Sequence, residues 1–186
     1  MIIKFLSFED LELYQKIPMF KSGSYIYVLN PDQSFDVKNV EPFSIDLASE
    51  EKVSDWIEIL NEDSTSIMVI EDNDLWIGGC ITVTHSPKVN MLRNNMENAV
   101  LWDIRVHPQY QKLGIGSILL ESSIQFAKKK ECKHLIIETQ DNNPTAIDFY
   151  VKHGAYLIDV NPNAYHDQPN ETQYIFQIDL YKGGKI

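Results

Sequence analysis

Apolar positions recur along the chain in two rhythms. From Ser66 to Glu71, and again from Leu75 to Thr84, apolar and β-branched residues run almost unbroken on either side of Asp72-Asn73-Asp74. Two such runs around polar turn residues predict a β-hairpin. Asn98 to Val106 predicts a further strand, closed by His107-Pro108. The spacing then changes to three and four. Leu119, Leu120, Ser123, Ile124 and Ala127 share one face of a helix predicted over Gly116 to Lys130. Lys128, Lys129 and Lys130 fall in its last turn, where the helix dipole favours cations. His134 to Thr139 is a short apolar strand. Asn143 then caps a helix whose first position is Pro144, and Gly154 ends it. Tyr156 to Val160 and Gln173 to Leu180 predict two last strands.

The first third of the chain has a weaker pattern. Phe8 to Ile17 reads as a short helix and Ser24 to Leu29 as a strand. Pro31, Pro42 and their polar neighbours predict a loop. Ser49-Glu50-Glu51 opens a helix with acids placed for its dipole, and Val53, Trp56, Ile57 and Leu60 form its apolar face. Helices early, an antiparallel meander, then strand–helix–strand–helix–strand–strand predict one mixed α/β domain over residues 1–186. A Rossmann fold would need a glycine fingerprint beside the first strand, and none is there.

Composition sharpens this picture in two ways. Sixteen basic against 27 acidic residues give a net charge of −11. Such a surface repels phosphate backbones and anionic membranes, and attracts cationic small molecules or basic proteins. Two cysteines, Cys80 and Cys132, cannot build a disulfide framework. Met1-Ile2-Ile3-Lys4-Phe5 lacks the regions of a signal peptide, and no apolar run approaches the ~20 residues of a membrane span. The expected compartment is the cytoplasm.

The segment richest in chemistry is Asp103-Ile104-Arg105-Val106-His107-Pro108, followed by Gln111-Lys112-Leu113-Gly114-Ile115-Gly116-Ser117. A strand ends, a glycine turn follows and a helix begins. Glycines let the backbone approach a ligand, and the first N–H groups of a helix lack internal partners. Together they make an anion site suited to phosphate or pyrophosphate. A P-loop is excluded, because no Lys-Ser/Thr ends a Gly-x-x-x-x-Gly run. Cys132-Lys133-His134 is too short for a metal site, so no metal is expected. Cys80 reads as core. Trp56, Trp76 and Trp102 read as packing, and His85, His107, His153 and His166 as ordinary.

Gln111-x-x-Gly114-x-Gly116 after such a strand resembles the acetyl-CoA loop of the GNAT N-acetyltransferase superfamily. Asn143, Ala146, Phe149-Tyr150 and Gly154 resemble that superfamily's next motif in the right order. Within it, Leu101-Trp102-Asp103-Ile104, Glu138-Thr139-Gln140-Asp141, Phe149-Tyr150, Tyr165 and Asn170-Glu171 resemble the streptothricin acetyltransferases, over roughly residues 65–182. Two positions depart from the superfamily pattern: Gln111 stands where arginine is commoner, and Lys112 where glycine often stands.

The resemblance implies a GNAT fold, a central mixed and mostly antiparallel sheet flanked by helices. It also implies acetyl transfer from acetyl-CoA to a primary amine by direct attack. Ile104, Val106, Gln111, Lys112, Leu113, Gly114, Ile115, Gly116, Ser117, Asn143 and Ala146 would bind acetyl-CoA. N–H groups around Ile104 and Val106, freed by a bulge, would face the thioester oxygen. Asp103, then Glu138, are candidates for the base that takes the amine proton, and Tyr150 for the acid that protonates the departing sulfur. Glu138 and Glu171 would hold the cationic acceptor, with streptothricin first. A polyamine, an aminoglycoside, a protein N-terminus and a non-catalytic CoA sensor are alternatives. A homodimer is left open.

Overall fold

The computed structural model describes residues 1–32, 34–47, 53–165, 168 and 171–181. Ser49-Glu50-Glu51, His166 and Asn170 lie outside the described residues. The chain divides into two compact units.

The first unit comprises residues 1–19, 47–136 and 179–186. Its strands are β1 (Ile2–Leu6), β4 (Thr65–Asp72), β5 (Leu75–Thr84) and β6 (Asn98–Val106), hydrogen-bonded in that order, with the start of β7 (His134–Gln140) next to β6. β1, β4, β5 and β6 pair antiparallel in succession. The β4–β5 turn is the expected one. Asn73 and Asp74 both take positive φ, 49° and 62°, the geometry of a tight hairpin whose twist matches its strands. β1 is a strand that the sequence pattern does not announce. It is a sheet edge, with Ile2, Ile3 and Phe5 exposed, so no alternation marks it.

β5 explains how this unit is layered. From Ile77 to Thr84 every residue is buried, because both faces are covered. A Cβ on Gly78 would come within 2.9 Å of Ile115 Cγ2 at the start of α3 (Ile115–Lys129). A Cβ on Gly79, on the other face, would come within 2.5 Å of the Tyr14 ring. The two neighbouring glycines thus admit one element on each side of the sheet. Tyr14 ends α1 (Leu11–Tyr14), a single turn that follows a 3-10 turn at Phe8–Asp10. The continuous helix expected over Phe8 to Ile17 is therefore two short turns, held at the start by a capping box between Ser7 and Asp10. α2 (Val53–Ile59) buries Val53 and Trp56, with Leu60 just beyond it, but Ile57 is exposed and leaves the predicted face.

The second unit comprises residues 20–46 and 137–178. It holds the remainder of β7, then β9 (Gln173–Asp179) and β8 (Tyr156–Asn161), with α4 (Pro144–Lys152). β2 (Phe20–Leu29) and β3 (Phe35–Asp46) form a separate antiparallel hairpin. β3 corrects the loop expected around Pro42. Gly23 pairs with Phe43 and Tyr25 with Asn39, so Val40-Glu41-Pro42 bulges opposite Ser24 alone. A proline there costs no ladder hydrogen bond. Gly23 lies against α4, where an added Cβ would meet Pro144 Cγ at 2.7 Å.

Candidate active site

In the first unit, β6 runs into the glycine loop. His107 Nδ1 accepts the Gln109 N–H at 3.3 Å and so caps the 3-10 turn Pro108–Tyr110. The chain then passes Lys112 at φ +62° and Gly114 at φ +87°, both left-handed. This conformation accounts for the glycine usual at the Lys112 position, since an L side chain there costs roughly 1–2 kcal/mol. Gln111, at the arginine position, turns back: its Nε2 donates to the Val106 carbonyl at 3.5 Å. A Cβ on Gly114 would meet nothing within 4 Å. The first intrahelical bond of α3 runs from Ile118 N–H to Gly114 C=O at 3.1 Å, and no acid stands in the first turn. Open space over a left-handed glycine, a 15-residue helix N-terminus and nearby Lys112 fit a phosphate-bearing ligand. Leu113 is exposed on the loop, Ile115 is buried beneath it, and Gly116 and Ser117 lie in the first helical turn.

The β6 bulge lies slightly earlier than expected. Asp103 pairs with Ile81 and Leu101 with Thr82, so Trp102 is the extra residue; Ile104 and Val106 pair regularly with Cys80 and Gly78. Past the bulge, Asp103 and Arg105 share one face of the strand. Arg105 grips the Asp103 carboxylate with two bonds, Nε to Oδ2 at 2.8 Å and Nη2 to Oδ1 at 3.0 Å. Tyr14 donates its hydroxyl to Oδ2 at 2.5 Å. All three side chains are buried. The Arg105 guanidinium lies over the Tyr14 and Trp56 rings, 5.2 and 5.6 Å from their centroids, and Trp56 meets Trp102 edge-on at 6.2 Å. Burial and the Asp103 charge hold the Tyr14 hydroxyl well above its ordinary range, so it stays protonated as a donor. Asp103 thus spends its lone pairs inside the core.

Cys80 is buried in β5 within 3.4 Å of Ser123, and burial pushes its thiol up to about 12. It is an inert core thiol at neutral pH.

In the second unit, Asn143 Oδ1 accepts the Ala146 N–H at 3.3 Å and caps α4 as predicted. Any second role for Asn143 therefore falls to its Nδ2. Tyr150 is buried on α4, its ring edge-on to Phe149 at 5.4 Å. Gly154, at φ +86°, ends the helix.

Glu138, on β7, is half-buried and accepts the Tyr165 hydroxyl on Oε1. Burial raises its carboxyl above the usual glutamate range; hydrogen bonds from Tyr165 and Gln173 pull the other way. Burial and the Glu138 charge in turn raise Tyr165, which remains a donor. Glu171 is not a solvated turn residue. Its Oε1 accepts Lys21 Nζ at 2.7 Å and Asn142 Nδ2 at 2.8 Å, while Lys21 also donates to Asn142 Oδ1 at 3.0 Å. Lys21 is 1% exposed.

Sequence reasoning overlooked Tyr14, Arg105, Lys21 and Asn142. Arg105 carried a signal, since residues two apart on a strand share a face. Lys21 carried none: its partner Glu171 is 150 positions away.

The chain matches the family described as "Acetyltransferase (GNAT) family" over residues 30–155. Streptothricin acetyltransferase A of Bacillus subtilis (strain 168) is 35% identical over 83 residues, 44% of this chain. The match spans about half of that relative's own length, 48%. Among solved structures, a candidate streptothricin acetyltransferase from Bacillus anthracis str. Ames, in complex with acetyl coenzyme A, superposes with a TM-score of 0.76 at 22% identity, covering 96% of this chain and 97% of that one. The ribosomal-protein-S18-alanine N-acetyltransferase of Escherichia coli superposes at 0.66 with 19% identity, covering 99% and 96%. The same fold thus carries relatives named for different acceptors, and the fold alone does not select one.

Proposed function

Since the chain belongs to the GNAT acetyltransferase family, we propose that it is an acetyl-CoA-dependent N-acetyltransferase whose acceptor is a cationic antibiotic of the streptothricin class. The observation that carries the acceptor is the 35% identity to the Bacillus subtilis enzyme of that name. The net charge of −11 supports it, because a strongly acidic surface steers a polycation inward. Acetylation removes one positive charge from the antibiotic, which would give resistance.

An acceptor amine with a pKa near 10.4 is neutral in roughly one molecule per thousand at pH 7.4. A group must therefore take the ammonium proton before the nitrogen can attack. Asp103, the first candidate by sequence, has its carboxylate taken by Arg105 and Tyr14. We assign the base to Glu138, whose raised carboxyl brings it closer to neutral pH. In the transfer step Glu138 takes the ammonium proton, directly or through water, the freed nitrogen bonds the acetyl carbon, the carbon–sulfur bond breaks, Tyr150 protonates the departing sulfur, and the second proton shed by the nitrogen as the amide forms returns to Tyr150 through water. The Gln111–Ser117 loop would hold the pyrophosphate of acetyl-CoA through its backbone N–H groups, with Lys112 adding charge. Backbone N–H groups of Ile104 and Val106 would stabilise the thioester oxygen, and Asn143 and Ala146 would line the pantetheine chain.

The test is acetyl transfer by the purified protein to streptothricin, with an aminoglycoside and a polyamine as competing acceptors. Efficient transfer to streptothricin alone supports the reading. Efficient transfer only to another amine overturns the acceptor and leaves the family in place.

A further inference from the structure

Glu138 and Glu171 feel one another's charge, yet the fold gives Glu138 the neutral Tyr165 hydroxyl and Glu171 the Lys21 ammonium. The groups around Glu138 are Tyr165 after β8, Gln173 on β9, Glu171 just before β9 and Lys21 on β2. Asp141 also reaches Tyr165, but its Oδ1 accepts the Thr172 N–H at 3.1 Å. Glu171 is closed into a ring of three hydrogen bonds with Lys21 and Asn142. A lysine 1% exposed is a costly residue to keep. Removing its ammonium would strand the Glu171 charge, whereas removing both partners together would not.

We propose that Lys21 is a positioning residue of the acceptor site: its resident ammonium cancels the Glu171 charge and locks Asn142, so that Glu138, whose hydrogen-bond donors Tyr165 and Gln173 are neutral, keeps its charge for the acceptor amine. This rests on the assignment of Glu138 as the base. Under it, Glu171 does not bind the acceptor. The Lys21 ammonium already sits on Glu171, where an acceptor cation was expected. The site is thereby set to receive one ammonium at Glu138 rather than two at a pair of acids. The Glu171 charge raises the Glu138 carboxyl and the Lys21 charge lowers it, in keeping with this balance.

The test is a carbon-13 NMR titration of the glutamate side-chain carboxyls in the full chain, with Glu138 assigned from Glu138→Gln. It needs no acceptor. Lys21→Met should move the Glu138 titration to higher pH, and Glu171→Gln should move it to lower pH. The double variant should return it close to the native position. Opposite shifts cancelled in the double variant are not produced by loss of packing alone. Lys21→Met leaves the Glu171 carboxylate unpaired and Glu171→Gln leaves the Lys21 ammonium unpaired; if one of them does not fold, the other single variant and the double variant, which strands neither charge, carry the comparison. A Glu138 titration that stays in place, or moves the same way in both single variants, overturns the proposal. Turnover of streptothricin by Glu138→Gln is read separately. Retained turnover removes Glu138 as the base and, with it, the catalytic meaning of the balance; lost turnover with an unmoved titration removes the role of Lys21 alone.

Discussion

Arg105 holds Asp103 in a two-bond fork, Nε to Oδ2 at 2.8 Å and Nη2 to Oδ1 at 3.0 Å, with both side chains buried in the first unit. Two residues apart on β6, they form an ion pair that α1 completes through the Tyr14 hydroxyl. A buried pair of this kind adds little over a hydrophobic replacement, but breaking it leaves a charge stranded. Asp103→Asn should therefore destabilise the fold by about 3–5 kcal/mol, read by urea unfolding. Native stability with a collapsed kcat would instead make Asp103 the base.

Gly79 sets how closely α1 can approach the sheet. Its missing Cβ leaves room for the Tyr14 ring, which would otherwise lie 2.5 Å away. Gly79→Ala must shift that ring or the β5 backbone, at a cost of about 1–3 kcal/mol. Its unfolding midpoint in urea should fall with an unchanged m-value. An undiminished midpoint would show that α1 moves freely on the sheet.

The loop at Gly114 has the opposite balance. A side chain there meets no protein atom within 4 Å, and its cost to the fold is the left-handed backbone, φ +87°. Gly114→Val should lose only about 1–2 kcal/mol of stability, while its side chain fills the space in which a pyrophosphate would approach the backbone. Native protein at 100 times the Kd of acetyl-CoA should gain about 2.7 kcal/mol, and the variant almost none. Calorimetry showing native affinity in folded Gly114→Val would remove the loop from the cosubstrate site.

Much of the chain beyond residue 65 was legible because its signals are local. The Asn73-Asp74 turn, the Asn143 cap with Pro144, and Gly154 at φ +86° each declare themselves within a few residues. The first 60 residues hid their structure for the converse reason. β1 and β3 are largely exposed and lack clean alternation. The Pro42 bulge is visible only once Gly23 and Phe43 are paired. The same limit applied to the site. Asp103, Glu138 and Tyr150 could be named from motifs, but Tyr14 reaches Asp103 across 89 positions and Lys21 reaches Glu171 across 150. No local spacing encodes either contact, and they decide which carboxylates are already occupied.

Glu138 and Tyr150 should separate by kinetics. Tyr150→Phe keeps the buried ring against Phe149 and removes only the hydroxyl. Its kcat should fall about 10²–10⁴-fold with the acetyl-CoA affinity kept. Glu138 acts as a base only when ionised, so kcat/KM should rise with pH through a value above the usual glutamate range, and Glu138→Gln should abolish that rise. The stability sign is the reverse. A carboxyl raised by burial binds its proton more tightly when folded, so its contribution is present below the unfolded value and is lost as pH rises through the folded one. Glu138→Gln should remove that decline as well. A Tyr150→Phe kcat that matches the native one, with chemistry rate-limiting, would make Tyr150 a packing residue.

The most direct test of the functional reading is mass spectrometry of streptothricin incubated with the purified chain and acetyl-CoA. The antibiotic should gain one acetyl group, its rate of modification should fall with rising salt, and an aminoglycoside in the same mixture should stay unmodified. An unchanged streptothricin mass, in a sample where acetyl-CoA demonstrably binds and another amine is acetylated, would contradict it.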